Sequence, residues 1–352
     1  MRGRSGGTDA GTDADADTDA GTDTDADTDA GTDAVTDAVT DTGTDAVTDA
    51  DADAVTDADT APAPPADAYH VPMSPVATVP VAVRLGVVSF LNARPLIDGL
   101  ETLADVSVRH SVPSRLIDQL LEDEVDVALC SSIDYQRSPE PLLALPAGLL
   151  GGDGATLTVR LFSQRPVGEL ESVYCDTDSH TSVALLRILL RERYDCDPAI
   201  VDYHVREHVA HHRPAGEPPA MLLIGDKVVT DAPDASRYPV QLDLGAEWAS
   251  HTTLPFVYAL WLVRATLDPE RIALAQAVLD RQRRRNRDRI DPIVYRHATK
   301  WPAGVARSYL ADHIAYDLTE DRHAGLELFY EKSLAHGLIA ARRPVRFWSE
   351  QA

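Results

Sequence analysis

Residues 84–96 read R-L-G-V-V-S-F-L-N-A-R-P-L and contain the change from strand to helix on which the predicted fold rests. Residues 85–88 form an apolar run of the length of a buried strand. Polar residues follow at once, and Pro95 suits the first turn of a helix because its missing N–H would have no partner there. In an open α/β sheet, ligands bind beyond the carboxyl ends of strands joined to helices in this way. The turn contributes the candidate site residues Ser89, Phe90 and Asn92.

The amino-terminal part of the chain differs from the rest in composition and charge. The chain has 352 residues and a net charge of −25, and residues 1–67, with 19 Asp and two Arg, carry −17 of that charge. The first 60 residues repeat Thr, Asp and Ala without an aromatic side chain, so they offer too little apolar surface to offset the entropy of ordering. We predict a disordered acidic tail over residues 1–80. Met73 precedes the first strand and is a second candidate for the start of the protein.

The location and redox state follow from two further features. No apolar run reaches the ~18 residues that a membrane-spanning helix needs, and the amino terminus has no apolar signal region. We therefore expect a cytoplasmic protein with no membrane partner. Cys130, Cys175 and Cys196 are odd in number and widely spaced, which favours reduced structural thiols over disulfides.

The chain beyond residue 80 alternates between strand and helix patterns. This alternation is typical of an α/β protein whose parallel or mixed sheets carry helices on their faces. Residues 125–130 predict another buried strand, which ends at Ser131 and Ser132 much as the first strand ends at Ser89. Residues 254–261 are apolar and rich in β-formers, so we predict that they return to the first sheet. Hydroxyl groups therefore follow two consecutive strands.

A second, smaller unit is predicted between residues 166 and 249. There, a strand over 172–175 leads through a hydroxyl-rich turn into an amphipathic helix over 183–194. The unpaired N–H groups and the dipole of a helix start favour an anion. Another strand, over 220–224, ends near Asp226, which is a further candidate. The turn before the helix contributes the candidates Ser179, His180, Thr181 and Ser182.

The predicted layout is a first lobe from residues 81–165 and 250–340, a second lobe from 166–249, and a cleft between them. Each candidate also has a plainer interpretation. Asn92 and the Ser residues could be helix caps, which is a common use of both residue types. Asp226 could be an ordinary surface turn residue.

Other motifs give weaker indications. Glu207, His208, His211 and His212 have spacings that share a helix face, but no recognisable set of further metal ligands accompanies them, so we expect no metal site. The six Arg of residues 281–289 lack the interleaved aromatics of a nucleic-acid platform and favour a solvated helix face. There is no phosphate loop, dinucleotide fingerprint or G-x-S-x-G elbow, which argues against nucleotide-dependent and serine-hydrolase chemistry.

Several separated motifs together resemble one known family. They are S-F-L-N-A-R-P-L at 89–96, V-P-S-R-L at 112–116, D-V-A-L-C-S-S-I-D-Y at 126–135, T-S-V-A-L-L-R-I-L-L at 181–190, L-I-G-D-K at 223–227 and L-P-F-V-Y-A-L-W at 254–261. In order and spacing they resemble the chorismate dehydratases that open the futalosine route to menaquinone. The resemblance covers roughly residues 83–335 and leaves out the acidic tail.

The resemblance implies both a fold and a reaction. The implied fold is α/β and two-lobed, like the type 2 periplasmic binding proteins, with a central cleft. The implied enzyme is a hydro-lyase that removes water from chorismate, a small dicarboxylate, to give 3-[(1-carboxyvinyl)oxy]benzoate without a metal or organic cofactor. Asn92 matches the Asn of the family's F-L-N motif and is our candidate catalytic residue. We expect no nucleic-acid partner, and either a monomer or a homodimer.

Two points stay open at this level. Asn92 cannot accept the proton, so the substrate's enolpyruvyl carboxylate is the first candidate base and His180 the second. The competing functions are 1,4-dihydroxy-6-naphthoate synthase of the same pathway and a non-catalytic carboxylate-binding protein of the same fold.

Overall fold

The computed structural model describes residues 83–204, 218–302 and 304–349. These residues lie within one compact unit, Met73–Ala352. The predicted tail over 1–80, the alternative start at Met73 and the group from Glu207 to His212 lie outside the described residues.

Ten strands of the described residues form two five-stranded sheets. In chain order they are β1 Val83–Val88, β2 Val106–Ser111, β3 Val127–Ser131, β4 Leu142–Gly152, β5 Val159–Ser163, β6 Ser172–Asp176, β7 Ala199–Tyr203, β8 Ala220–Ile224, β9 Val240–Asp243 and β10 Phe256–Arg264. The first sheet has the order β2-β1-β3-β10-β4 and the second the order β7-β6-β8-β5-β9.

Both sheets are mixed and share one pattern. In the first, β1 pairs in parallel with β2 and β3, whereas β10 runs antiparallel to β3 and β4. In the second, β6 pairs in parallel with β7 and β8, whereas β5 runs antiparallel to β8 and β9. All residues of β3 and β8 are buried, as expected for central strands covered on both faces. The α/β class and the return of the 254–261 segment to the first sheet are confirmed.

Ten α-helices of the described residues connect and cover the strands. They are α1 Arg94–Ile97, α2 Pro113–Leu121, α3 Asp134–Arg137, α4 His180–Tyr194, α5 Lys227–Thr230, α6 Leu244–Thr252, α7 Pro269–Arg287, α8 Ile290–His297, α9 Val305–Ser308 and α10 Glu320–Ala335. The predicted helix after Pro95 is short, because Gly99 adopts a φ of +91° and starts a separate 3-10 turn, Leu100–Thr102. Most of the predicted Arg-rich face of α7 is exposed.

The pairing of the strands indicates where the first lobe ends and the second begins. The predicted boundaries at residues 165 and 250 stay a prediction. However, β5 pairs with β8 and β9 in the second sheet, although residues 81–165 were predicted to form the first lobe. A boundary between β4 and β5 therefore agrees better with the strand pairing.

Candidate active site

A cavity lies where strand ends of the first sheet meet strand and helix ends of the second. It encloses about 570 Å³ including its open mouth, within the range of small-molecule sites. We call it the cleft cavity. Its lining residues are Val88, Phe90, Asn92, Pro113, Ser131, Leu150, Gly151, Thr156, Thr158, Val159, Ser179, Ser182, Ile224, Gly225, Tyr258, Ala259 and Ile314.

The cleft cavity brings together half of the predicted site residues, which come from two distant parts of the chain. The five that line it are Phe90, Asn92, Ser131, Ser179 and Ser182. The five that do not belong to its lining are Ser89, Ser132, His180, Thr181 and Asp226.

Asn92 sits in the 3-10 turn Leu91–Ala93 that follows β1. The capping interpretation is wrong for this residue, since Ala93 is the N-cap of α1 and no side chain caps that helix. The Asn92 Oδ1 atom is buried and has no hydrogen-bond partner among the described residues. An amide oxygen without a partner, on a residue that lines the cavity, can accept a hydrogen bond from a ligand once a small side-chain movement exposes it.

The start of α4 supplies the second polar wall. Ser179 is the N-cap of this helix: its Oγ accepts from the Ser182 N–H at 3.3 Å and lies 3.0 Å from the Ser182 Oγ. Both residues also line the cleft cavity, so here capping and a site position coincide. The first-turn N–H groups and the dipole of this 15-residue helix favour an anion at that point.

Ser132 and Thr181 link the end of β3 to the start of α4 and do not line the cleft cavity. The Ser132 hydroxyl donates to the Val257 carbonyl at 2.8 Å. The Thr181 hydroxyl accepts from the Ile133 N–H at 3.2 Å and lies 3.3 Å from the Ser132 Oγ. Both side chains are fully buried, so these bonds hold the start of α4 against the end of β3.

His180 faces the carboxylate of Asp134, the first residue of α3. Its Nδ1 lies 2.8 Å from Asp134 Oδ1, and that hydrogen bond raises the pKa of His180. Burial raises the pKa of Asp134, whose carboxyl group is almost inaccessible to solvent. The ring of His180 is therefore directed at Asp134, outside the lining of the cleft cavity.

Asp226 also bonds to the opposite sheet. Its carboxylate oxygens lie 3.1 and 3.2 Å from the Leu91 backbone nitrogen, which donates to them. Asp226 lines a second cavity, which shares Phe90 with the cleft cavity and which we call the vestibule. The vestibule is lined by Phe90, Asp226, Lys227, Thr230, Asp231, His297, Thr299, Lys300 and Trp301.

Sequence reasoning missed the segment between β4 and β5. Asp243 accepts hydrogen bonds from the Thr156 and Leu157 N–H groups, at 2.7 Å in the latter case, and so fixes this segment. Thr156 and Thr158 thereby reach the cleft cavity, and the Thr158 hydroxyl lies 2.8 Å from the buried hydroxyl of Tyr309. Tyr309 in turn interacts with the Asn92 side chain. The only hint in the sequence was the segment 154–158, which carries two threonines beside small residues and which forms this side of the cavity.

The cleft cavity carries no ionisable charge of its own at neutral pH. Among the described residues that line it there is no Asp, Glu, Lys, Arg or His. Hydroxyl groups, an amide and backbone dipoles must therefore meet the charge of any ionic ligand. The described part of the chain also contains no cluster of His, Cys, Asp or Glu arranged to hold a metal ion.

Two remaining expectations concern thiols and membranes. Cys130, Cys175 and Cys196 are free, as predicted, and burial raises the pKa of the Cys130 thiol. Within residues 83–204, 218–302 and 304–349, no helix combines the length and the apolar character needed to cross a bilayer.

Comparison with solved structures defines the class of fold. Protein AF1704 from Archaeoglobus fulgidus superposes with a TM-score of 0.56 at 18% identity, over 73% of this chain and 98% of its own. The periplasmic aliphatic sulphonate binding protein of Escherichia coli superposes with a TM-score of 0.54 at 16% identity, over 77% of this chain and 92% of its own. The protein thus has a periplasmic-binding-protein-like fold, as predicted.

Sequence comparison identifies the family. Residues 83–334 match the menaquinone biosynthesis family. A chorismate dehydratase of Thermus thermophilus is 32% identical over 264 residues, which cover 70% of this chain and 93% of that protein. The chain therefore belongs to the menaquinone biosynthesis family, in agreement with the motif resemblance.

Proposed function

We propose that this protein is a chorismate dehydratase that removes water from chorismate to give 3-[(1-carboxyvinyl)oxy]benzoate, at the start of the futalosine route to menaquinone. It acts as a hydro-lyase in the cytoplasm. The observation that carries the proposal is the free Oδ1 of Asn92 in an uncharged, hydroxyl-lined cavity, in a chain of the menaquinone biosynthesis family.

The two carboxylates of chorismate are bound by dipoles in this proposal. The start of α4 with Ser179 and Ser182 offers N–H and hydroxyl donors to one carboxylate. Ser131, Thr156 and Thr158 offer further hydroxyls from the opposite side of the cavity. Fixed dipoles in a cavity that excludes water interact strongly with charge and do not need to reorganise during the reaction.

The reaction is an elimination of the ring hydroxyl and the hydrogen on the adjacent ether-bearing carbon. Breaking that C–H bond supplies the electron pair that completes the aromatic ring, and the C–O bond to the hydroxyl breaks. The proton and the hydroxide leave as water. Asn92 orients the reacting part of the ring through its amide and stabilises the charge that develops as the hydroxyl departs.

The substrate's enolpyruvyl carboxylate is the proton acceptor in this mechanism. Two observations favour it over His180. No described residue that lines the cleft cavity is a carboxylate or an imidazole. The ring of His180 is bonded to Asp134 and does not line the cavity. Movement of the two sheets toward each other around the dianion would exclude water, as closing lids do in other enzymes.

The test uses the full-length protein with chorismate and follows the substrate by NMR. We expect chorismate to disappear and the aromatic enolpyruvyl ether to accumulate with no other reactant added. Binding of chorismate without turnover would overturn the proposal in favour of a binding protein. If chorismate neither binds nor reacts, the naphthoate-forming reaction of the same pathway becomes the function to test.

A further inference from the structure

The carboxylate of Asp226 forms a bond between the two sheets next to the candidate catalytic residue. Both of its oxygens lie within 3.2 Å of the Leu91 nitrogen, which is 135 positions earlier in the chain. Leu91 opens the 3-10 turn Leu91–Ala93 after β1 of the first sheet, whereas Asp226 directly precedes α5 and follows β8 of the second. The residue after Leu91 is Asn92, so the bond lies one residue from the amide.

The backbone around Asp226 is shaped for this close approach. Gly225 has a φ of +77°, and a Cβ atom there would lie only 2.8 Å from the ring of Phe90. The Gly225 N–H donates to the Thr158 carbonyl at 2.9 Å, so the same turn also touches the other wall of the cleft cavity. Glycine tolerates both the positive φ and the contact with the ring. The turn therefore packs directly against Phe90 and Leu91.

We propose that Asp226 is a positioning residue, which holds the Leu91–Ala93 turn against the second sheet and thereby fixes Asn92 in its place. This inference rests on the proposed function, because it assigns Asp226 a part in the same elimination. Asp226 lines the vestibule and not the cleft cavity, and its negative charge would repel a dianionic substrate. It therefore acts through Leu91 and not on the substrate.

Asp226 changes its protonation state within the pH range in which enzymes commonly work. Burial raises the pKa of Asp226 to about 6, while the Leu91 N–H and the charges of Arg94 and Lys227 act in the opposite direction. Tyr309, at the start of the helical turn Tyr309–His313, also lies close enough to Asp226 for that carboxylate to raise its pKa. The remaining ionisable groups around it line the vestibule: Asp231, His297 and Lys300.

The pH dependences of activity and of stability then have opposite signs. Ionised Asp226 is the stronger acceptor for the Leu91 N–H, so this bond weakens as the pH falls through about 6. Because folding raises the pKa, the contribution of this group to the free energy of unfolding is present at low pH and is lost as the pH rises toward and through about 6. Loss of activity below pH 6 by this route is therefore not an effect of unfolding.

The test compares Asp226→Ala with Asp226→Asn in kcat and KM for chorismate. The Ala variant removes the acceptor, and we expect kcat to fall about 100-fold, the loss that follows a misplacement of about 1 Å. The Asn variant keeps a neutral oxygen that can accept from Leu91. We expect it to retain at least a tenth of the wild-type kcat and to lose the change in activity around pH 6.

A second measurement detects the hydrogen bond between Leu91 and Asp226 in the absence of substrate. The Leu91 amide donates only to Asp226 among the described residues, so its hydrogen exchange reports directly on this contact. We expect exchange to be about tenfold faster or more in Asp226→Ala and close to wild type in Asp226→Asn. Asp234→Asn is the matched control, because Asp234 also accepts a backbone N–H, from Ser236 at 2.9 Å, but on an exposed turn.

Either measurement can overturn the inference. Wild-type kcat in Asp226→Ala, or unchanged exchange at Leu91 in that variant, would remove the positioning role. If Asp226→Asn is as inactive as Asp226→Ala while Leu91 stays protected, the carboxylate acts on the substrate itself. Failure of the wild-type protein to dehydrate chorismate would count against the proposed function alone, since the exchange measurement tests the bond separately.

Discussion

The cleft cavity and the vestibule share the ring of Phe90 but differ in charge. The lining of the cleft cavity, as far as the chain is described, contains hydroxyls, one amide and apolar groups. The vestibule is lined by two carboxylates, two lysines and a histidine within the same described residues. Phe90 thus borders both an uncharged cavity and a charged one.

This difference indicates how the work is divided between the two cavities. A charged side chain inside the cleft cavity could be left buried and unpaired when the substrate departs. A carboxylate there would also compete with the substrate for hydrogen-bond donors. Hydroxyl, amide and backbone dipoles carry no net charge, yet they can still bind a dianion. We expect the exposed vestibule charges, unlike Asp226, to act at longer range, where they influence the encounter with substrate rather than the chemical step. Substitutions in the cleft cavity should therefore change kcat more than substitutions of exposed vestibule charges do.

Replacement of Asn92 should have the largest effect. Asn92→Ala removes the amide that meets the reacting part of the substrate, so we expect kcat to fall by about 10²–10³, as for other single groups that stabilise developing charge. The melting temperature should fall by only a few degrees, about the effect of one hydrogen bond, since the Asn92 Oδ1 has no partner among the described residues and the side chain interacts only with Tyr309. Ser107→Ala is the control, because that side chain is exposed on β2 and lies outside the lining of the cleft cavity. Near-normal turnover in Asn92→Ala would remove the amide from the chemistry.

Replacement of Gly225 should disturb the boundary between the two cavities. In Gly225→Ala the new Cβ meets Phe90 at 2.8 Å and the backbone keeps an unfavourable φ of +77°. We expect a loss of about 1–3 kcal/mol in the free energy of unfolding, measured with urea, and a lower kcat/KM because the ring must shift. Gly154→Ala is the control, since a Cβ atom there would meet no atom of the described residues within 4 Å. Equal stability of the two variants would show that the Phe90 ring moves aside without a loss in the free energy of unfolding.

Removal of the Tyr309 hydroxyl should have a smaller effect, both on the orientation of Asn92 and on the stability of the protein. Tyr309→Phe removes its bond to Thr158, and we expect the free energy of unfolding to fall by about 0.5–1.5 kcal/mol and kcat to fall as Asn92 loses its neighbour. Thr158→Val and the double variant complete a double-mutant cycle. If the two hydroxyls form one unit, the double variant loses less than the sum of the single losses. Additive losses would contradict the coupling.

The vestibule charge should have the smallest effect. The chain contains three lysines, and two of them, Lys227 and Lys300, line the vestibule. Lys300 is exposed, so Lys300→Gln should lower kcat/KM a few-fold, by about 2–5 times at low ionic strength, and leave kcat unchanged. The difference should disappear at about 1 M salt, where the Debye length is about 3 Å. Arg281→Gln removes a similar charge from the exposed face of α7, and an equal effect there would indicate net charge alone.

The elements of the fold were largely predictable because they depend on local apolar patterns. The opening strand and the strands predicted at 125–130, 172–175 and 220–224 all have the type and place that their patterns predict. The apolar run at 142–150 also predicts a strand, but one that ends before Gly151 and Gly152, because glycines in sequence favour a turn. Phe256 of β10 pairs with Gly152, so the strand β4 continues through the two glycines that suggested a turn. A partner strand more than 100 residues away decided that boundary.

The candidate site was predicted in part, and the reason lies in the contacts between the sheets. Positions at strand ends and helix starts identified Asn92, Ser131 and Ser179 from local sequence, and all three line the cleft cavity. His180, Thr181 and Asp226 occupy equally suitable local positions, yet their side chains bond to Asp134, Ile133 and Leu91 of the first sheet. Whether each residue binds substrate stays a prediction.

Apolar periodicity and separated motifs are local properties, so they were enough to predict the α/β class, the positions of strand ends and helix starts, and the family. Which polar groups at those positions line the cavity, and which bond to another part of the chain, depends on contacts between distant segments. A hydrogen bond such as that from Leu91 to Asp226 spans 135 residues. Its existence depends on how the two sheets pack, which no local pattern encodes.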